Sequence, residues 1–133
     1  MADKTKAPTW KVQMTGAVEK AISDSPALSD DDKRIIQDWG RTVHKEGPDG
    51  LTKDETRIRK WEDHELKGSW AGYRSSKFSS AGRLLYKVVD QLVLVAVVRI
   101  TTTHNYEDPT NEELKEIRKL EAEAKKASQK EKT

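Results

Sequence analysis

The run LVLVAVV, Leu92–Val98, constrains this chain more than any other stretch. Seven consecutive apolar residues fall far short of the roughly 20 that a membrane-spanning helix needs. Their valine content and length suit a β-strand that is apolar on both faces. Such a strand belongs in the middle of a sheet with both faces covered. The pattern extends it over Leu92–Thr101 and places two strands before it, Gly72–Phe78 and Arg83–Val89. Ser79 to Gly82 links those two, and Asp90-Gln91 reads as a tight hairpin into the third.

Cover for the sheet has to come from helices, and the chain supplies them. Ser29 to Lys45 opens with a serine followed three residues later by Asp32, a capping box with Asp in place of Glu. Asp30, Asp31 and Asp32 sit where the helix dipole favours them, and Ile35, Ile36, Trp39 and Val43 form one apolar stripe. Gly40 weakens that helix by about 1 kcal/mol relative to Ala. GPDG at 47–50 punctuates its end. Ahead of it, Trp10, Val12 and Met14 alternate with polar residues as in a strand, and Ala17 to Ile22 predicts one or two helical turns. Leu51 to Trp61 suits either a short helix or a charged loop. Thr110 and Glu113 form a second capping box, starting a helix to about Ala127 with a thin stripe of Leu114, Ile117, Leu120 and Ala124. That helix either packs on the domain or projects from it.

The expected architecture is α+β: a small twisted, mostly antiparallel sheet, N-terminal helices on one face and a C-terminal helix. One domain over 9–106 is expected, with a disordered lead at 1–8 and a charged helix over 107–133 whose end frays. A length of 133 residues fits that count. Charged residues make up 36% and apolar ones 34%, so much of the chain is solvated. The sequence has no cysteine, which excludes disulfides, thiolate metal sites and cysteine nucleophiles. The opening MADKTKAPT has no apolar h-region and reads as no secretory signal. A cytoplasmic protein without membrane contact is the expectation.

Charge is unevenly spread. The whole chain carries only +2, yet Lys67, Arg74, Lys77, Arg83, Lys87 and Arg99 lie between Leu66 and His104 against the single acid Asp90. A basic sheet in a near-neutral protein points to an anionic partner, nucleic acid first. The same segment is flanked by His64 and His104. Taken alone these are ordinary polar histidines, and Arg83 is a plain exposed cation. Trp10, Trp39, Trp61, Trp70 and Tyr86 read as core, and His44 as a helix-end residue meeting the dipole.

The residues DHELKGSWAGYR, then GRLLYKV, then an apolar strand leading to a histidine resemble the RelE/ParE superfamily of bacterial toxins, in particular the ribosome-dependent mRNA interferases of the RelE, YoeB and YafQ kind. The resemblance covers about 60–106 and is carried chiefly by the DHxLxGSWxGYR pattern. It implies a concave basic sheet face that binds mRNA in the ribosomal A site. It also implies a cognate antitoxin that lays a helix over that face. Carried residue by residue, it makes His64, Arg83 and His104 catalytic. His64 stands where relatives place a Glu or His that acts as general base or orients the nucleophile, Arg83 where they contact the scissile phosphate, and His104 with Tyr106 where a His or Tyr serves as general acid or positions the base; the resemblance does not assign acid and base between the two histidines. Lys67, Arg74, Lys77, Arg99 and Tyr106 become RNA or phosphate contacts. Tyr73, Tyr106 or Trp70 could stack an extruded base.

The implied chemistry is self-consistent. Attack of a ribose 2′-OH on the neighbouring phosphate needs a base, an acid and cations for the pentavalent phosphorane, and no metal or cofactor. Imidazole titrates near neutrality, and guanidinium matches phosphate oxygens. The alternative implied by the same superfamily is a non-catalytic, ParE-like binder that inhibits DNA gyrase, or an RNA-binding regulator.

Overall fold

The computed structural model describes residues 9–52, 61–103 and 106–131. Five strands form one sheet in the order β1-β5-β4-β3-β2. They are β1 (Lys11–Met14), β2 (His64–Glu65), β3 (Arg74–Lys77), β4 (Arg83–Val89) and β5 (Leu94–Thr101). β1 pairs with β5 in parallel, and the other pairs are antiparallel. The apolar strand β5 therefore lies inside the sheet, and residues 94–98 are all buried. This is the position its two apolar faces require.

Among the described residues three α-helices cover the sheet: α1 (Gly16–Asp24), α2 (Asp30–Glu46) and α3 (Asn111–Glu131). α1 and α2 lie on one face. The Ser29–Asp32 capping box forms in both directions, with Asp32 N donating to Ser29 Oγ at 3.0 Å and Ser29 N to the Asp32 carboxylate at 3.1 Å. Ile36, Trp39 and Val43 of α2 are buried against Leu84, Tyr86, Val95 and Val97. The helix ends at Gly47, whose φ of 76° suits glycine, and any Cβ there would press on the Trp10 indole at 2.7 Å.

α3 covers the other face. Its Ile117 packs with Leu85, Ala96, Val98, Trp70 and Tyr73, and Leu120 lies beside them. The Thr110–Glu113 capping box forms, with Glu113 N donating to Thr110 Oγ1 at 3.1 Å and Thr110 N to Glu113 Oε1 at 2.8 Å.

Two expectations need correcting. Asp90-Gln91 is not a two-residue hairpin: Asp90–Leu92 forms a turn of 3-10 helix and Val93 adopts φ 50°, so β5 starts at Leu94. The strand expected over 72–78 narrows to β3, because Gly72 sits at φ 94° after a 3-10 turn at Gly68–Trp70. The expected disordered lead 1–8 and residues 53–60 lie outside the described residues.

Candidate functional site

Strand register decides which side chains share a face. Across the sheet His64 pairs with Ser75, Ser75 with Leu85, and Leu85 with Arg99. The next row is Lys77, Arg83 and Thr101. Leu85 belongs to the cluster under α3, so both rows lie on the α3 face. Between them the β4–β5 register shifts: Leu85 faces Arg99 but Tyr86 faces Val97. Val98 is the extra residue of a β-bulge, and Val98 and Arg99 consequently share one face.

α3 covers only part of that face. It is tied at its start to Arg99 and further along to Lys87, whose Nζ lies 2.8 Å from the Glu121 carboxylate. The end carrying His64, Lys77 and Arg83 forms none of these ties among the described residues. One strand separates His64 from β4, and Arg83 lies two residues along β4 from Leu85, the residue in line with His64, so His64 and Arg83 sit about 12 Å apart across the sheet.

His64 is exposed, and its Nδ1 lies 3.0 Å from the Glu62 carbonyl oxygen. A carbonyl only accepts, so Nδ1 carries the hydrogen. In the neutral ring the lone pair then sits on Nε2, the arrangement a general base needs. Arg83 is half-buried and folds back over the turn before it, Nη1 donating to the Ser79, Ser80 and Gly82 carbonyls at 3.1, 3.3 and 2.9 Å. Those bonds use one nitrogen of the fork, leaving Nη2 and Nε for an anion. Lys77 Nζ donates to the Glu62 carboxylate at 3.2 Å in a solvent-exposed ion pair. Lys67 is exposed ahead of the Gly68–Trp70 turn. Tyr106 OH hydrogen bonds Ser75 Oγ at 2.7 Å, joining the segment after β5 to β3. His104 lies outside the described residues.

The two remaining arginines are engaged elsewhere. Arg99 donates from Nε and Nη2 to both oxygens of Glu113, at 2.8 and 2.6 Å, and to the Glu107 and Asp108 carbonyls. Its guanidinium lies 4.8 Å from the Trp70 ring centroid. Only 16% of its side chain is exposed. Burial alone would raise the Glu113 pKa, but hydrogen bonds from Arg99 and Thr110 outweigh it and hold the carboxyl below its usual range. Arg74 points to the opposite face, paired across the strands with Tyr86, and its Nε donates to Asp63 Oδ1 at 2.7 Å. Burial alone would lower the Arg74 pKa, and the Asp63 bond and charge overturn that and raise it.

Asp63 is the residue that the sequence reading missed. Its side chain is 0% exposed. Arg74, Ser76 Oγ at 2.6 Å and the Tyr86 hydroxyl all donate to it, while Trp39 Nε1 donates to Ser76 Oγ at 2.9 Å. Burial foremost, and then Asp63, push the Tyr86 hydroxyl far above its ordinary pKa, so it stays protonated as a donor. The sequence signal was the phase: beside a face-exposed His64, Asp63 has to point to the other face. A buried tyrosine and serine there need a polar partner.

Among the described residues no group of three or more His, Asp or Glu is placed to hold a metal ion. No helix among them is long and apolar enough to cross a membrane.

No family model and no curated protein matches the sequence. Solved structures do match. The toxin–antitoxin complex YoeB-YefM from Staphylococcus aureus aligns at 14% identity with a TM-score of 0.51, covering 69% of this chain and 94% of its own. A copper-bound L66S mutant toxin from Helicobacter pylori aligns at 20% identity with a TM-score of 0.53, covering 70% and 93%. This chain has the RelE/ParE-like toxin fold. In this chain the N-terminal helices back the sheet, and His64, Lys77 and Arg83, from two adjacent rows, lie on the opposite face beyond the ties of α3 among the described residues.

Proposed function

We propose that this protein is the toxin of a type II toxin–antitoxin pair and an endoribonuclease that cleaves mRNA in the ribosomal A site, in the cytoplasm. The observation that carries the reading is the exposed His64, with Nδ1 bonded to a carbonyl, on the same open face as Lys77 and Arg83. The toxin fold supports it, and so does the antitoxin in one structural neighbour, the YoeB-YefM complex.

In this mechanism His64 Nε2 takes the 2′-OH proton as that oxygen attacks the adjacent phosphorus. Arg83, through Nη2 and Nε, and Lys77 hold the negative charge of the phosphorane. His104 gives its proton to the departing 5′ oxygen. The products are a 2′,3′-cyclic phosphate and a 5′-hydroxyl, so the bond formed and the bond broken balance without water, metal or cofactor. Lys67 and Tyr106 contact the RNA on either side. Arg74 and Arg99 bind RNA only after release from Asp63 and Glu113.

Mapping new 5′ ends by primer extension in a translating bacterial extract tests the proposal. New ends at fixed codon positions, absent without ribosomes and absent with an Arg83→Ala, His104→Ala double variant, are expected. Cleavage by that double variant at the native rate overturns the site assignment.

One observation favours a second reading, a non-catalytic gyrase inhibitor. α3 covers part of the basic face and neutralises Lys87 and Arg99 within the chain. Inhibited supercoiling by gyrase with mRNA left intact would select it.

A further inference from the structure

His64 sits on a strand of two residues, β2, and so short a strand does not fix a side chain by pairing alone. What precedes it is constrained. Trp61 is buried and its carbonyl accepts from Lys77 N at 2.7 Å. Glu62 then adopts φ 47°, a left-handed conformation that a residue with a Cβ rarely takes. It is the carbonyl of this same Glu62 that meets His64 Nδ1 at 3.0 Å. A strained residue persists only when its surroundings over-determine it.

The surroundings are supplied by the next residue. Asp63 turns to the opposite face and is gripped there by Arg74 and Ser76 of β3 and by Tyr86 of β4, with Trp39 of α2 behind Ser76. These donors reach one carboxylate from neighbouring strands, and no solvent competes with them at a side chain 0% exposed. Glu62 is thus clamped between the Trp61–Lys77 bond and the Asp63 cluster, and it is held in the conformation that aims its carbonyl at the imidazole.

We propose that Asp63 is the positioning residue for His64: its buried hydrogen-bond cluster holds Glu62 in the left-handed conformation that fixes the Nδ1–H tautomer and turns Nε2 outward. Asp63 touches neither RNA nor the reacting atoms and acts only through β2. The catalytic consequence rests on the ribonuclease reading, whereas the tautomer does not.

The experiment uses the full chain labelled with ¹⁵N-histidine, recorded as long-range ¹H–¹⁵N imidazole spectra at a pH where free imidazole is neutral. A His64→Gln variant assigns the His64 ring. His44 supplies an internal control, because its Nδ1 lies 2.9 Å from the Trp10 carbonyl, far from Asp63 in sequence. In the native protein both rings should show the Nδ1–H form. In Asp63→Asn the amide turns one acceptor into a donor facing other donors, and His64 should move toward the Nε2–H form that free histidine favours while His44 stays put. Tyr86→Phe, which removes one donor, should shift His64 less and guards against an Asp63 variant that fails to fold. Cleavage by folded Asp63→Asn should fall by about 10²-fold in rate at saturating RNA, with the half-saturating concentration little changed. An unaltered His64 tautomer in folded Asp63→Asn overturns the proposal. A shifted tautomer in a protein that never cleaves RNA leaves the positioning standing and removes the ribonuclease reading instead.

Discussion

The two faces of the sheet are closed in different ways. Under α1 and α2 the contact is made by large apolar groups, Trp39, Leu84, Tyr86, Val95 and Val97, all essentially inaccessible. On that side the Asp63 carboxylate is sealed in with its donors, the Arg74 guanidinium among them. Under α3 the buried set is smaller, Leu85, Ala96, Val98 and Ile117 with Trp70, and ion pairs hold its border at Arg99–Glu113 and Lys87–Glu121. The first face defines the fold, and the second is a partial seal that ends before His64 and Arg83. An anionic ligand needs cations at a solvent boundary; Lys77 and Arg83 supply them on the second face, whereas Arg74 on the first is held by Asp63.

The sharpest break in that contrast is a pair of truncations. Trp39→Ala removes a side chain at the centre of the larger core and the donor to Ser76, and it should cost about 3–5 kcal/mol. Ile117→Ala on α3 should cost less, about 2–3 kcal/mol, because the helix borders solvent and can settle. Urea unfolding of both variants measures the difference. Equal losses would mean that the α3 face is as much a core as the other.

A second test separates function from packing. His64→Ala should lower cleavage by about 10²–10⁴-fold, the usual worth of a general base. Since His64 is exposed, stability should stay within about 0.5 kcal/mol of native. Parallel cleavage and urea measurements check both halves. A large stability loss with cleavage intact would place His64 in the frame rather than the site.

Much of this contrast was legible in the sequence, and the failures have physical reasons. The bounds of β4, the α2 capping box and the interior place of β5 follow from local patterns of period two and 3.6. β2 has no pattern because two residues cannot show one. The bulge at Val98 changes which face Arg99 occupies, and strict alternation along LVLVAVVRI would place it wrongly. The thin stripe of α3 announced a helix but not its seat, since one leucine stripe fits many surfaces. In the site, the charge cluster and His64 could be read from composition and spacing. That Arg74 and Arg99 are already engaged could not, because Asp63 and Glu113 reach them only through the tertiary fold.

The pH dependence of the α3 seal sharpens the comparison further. The Glu113 pKa is lower in the folded protein, so its stabilisation is fully present above the unfolded-state value and is lost as pH falls through the folded one. Glu113→Gln keeps the capping oxygen but removes the charge facing Arg99. At neutral pH it should destabilise by about 1–2 kcal/mol, and the gap to the native protein should close in acid, below the carboxylate range. Urea midpoints at neutral and acid pH test the sign. A gap that persists unchanged in acid would mean that the bond geometry, not the charge, ties α3 to β5.

The smallest effect belongs to Lys87. Its partner Glu121 is farther along α3, and the two side chains are 36% and 28% exposed, so water screens them more than it screens Arg99 and Glu113. Lys87→Met keeps an unbranched stem of similar length over the sheet and deletes only the charge. It should cost a few tenths of a kcal/mol at low salt and nothing measurable near 1 M salt, where the Debye length is about 3 Å. The Glu113→Gln cost, by contrast, should survive most of that salt, because a paired charge away from solvent is screened less. If the two variants respond to salt alike, the border of α3 is uniform. If only Lys87 responds, α3 is held firmly at its first turn and loosely beyond it. Its first turn holds Arg99, which lies in the same cross-strand row as Ser75 and His64, so the firm half of the seal is the half on the His64 row.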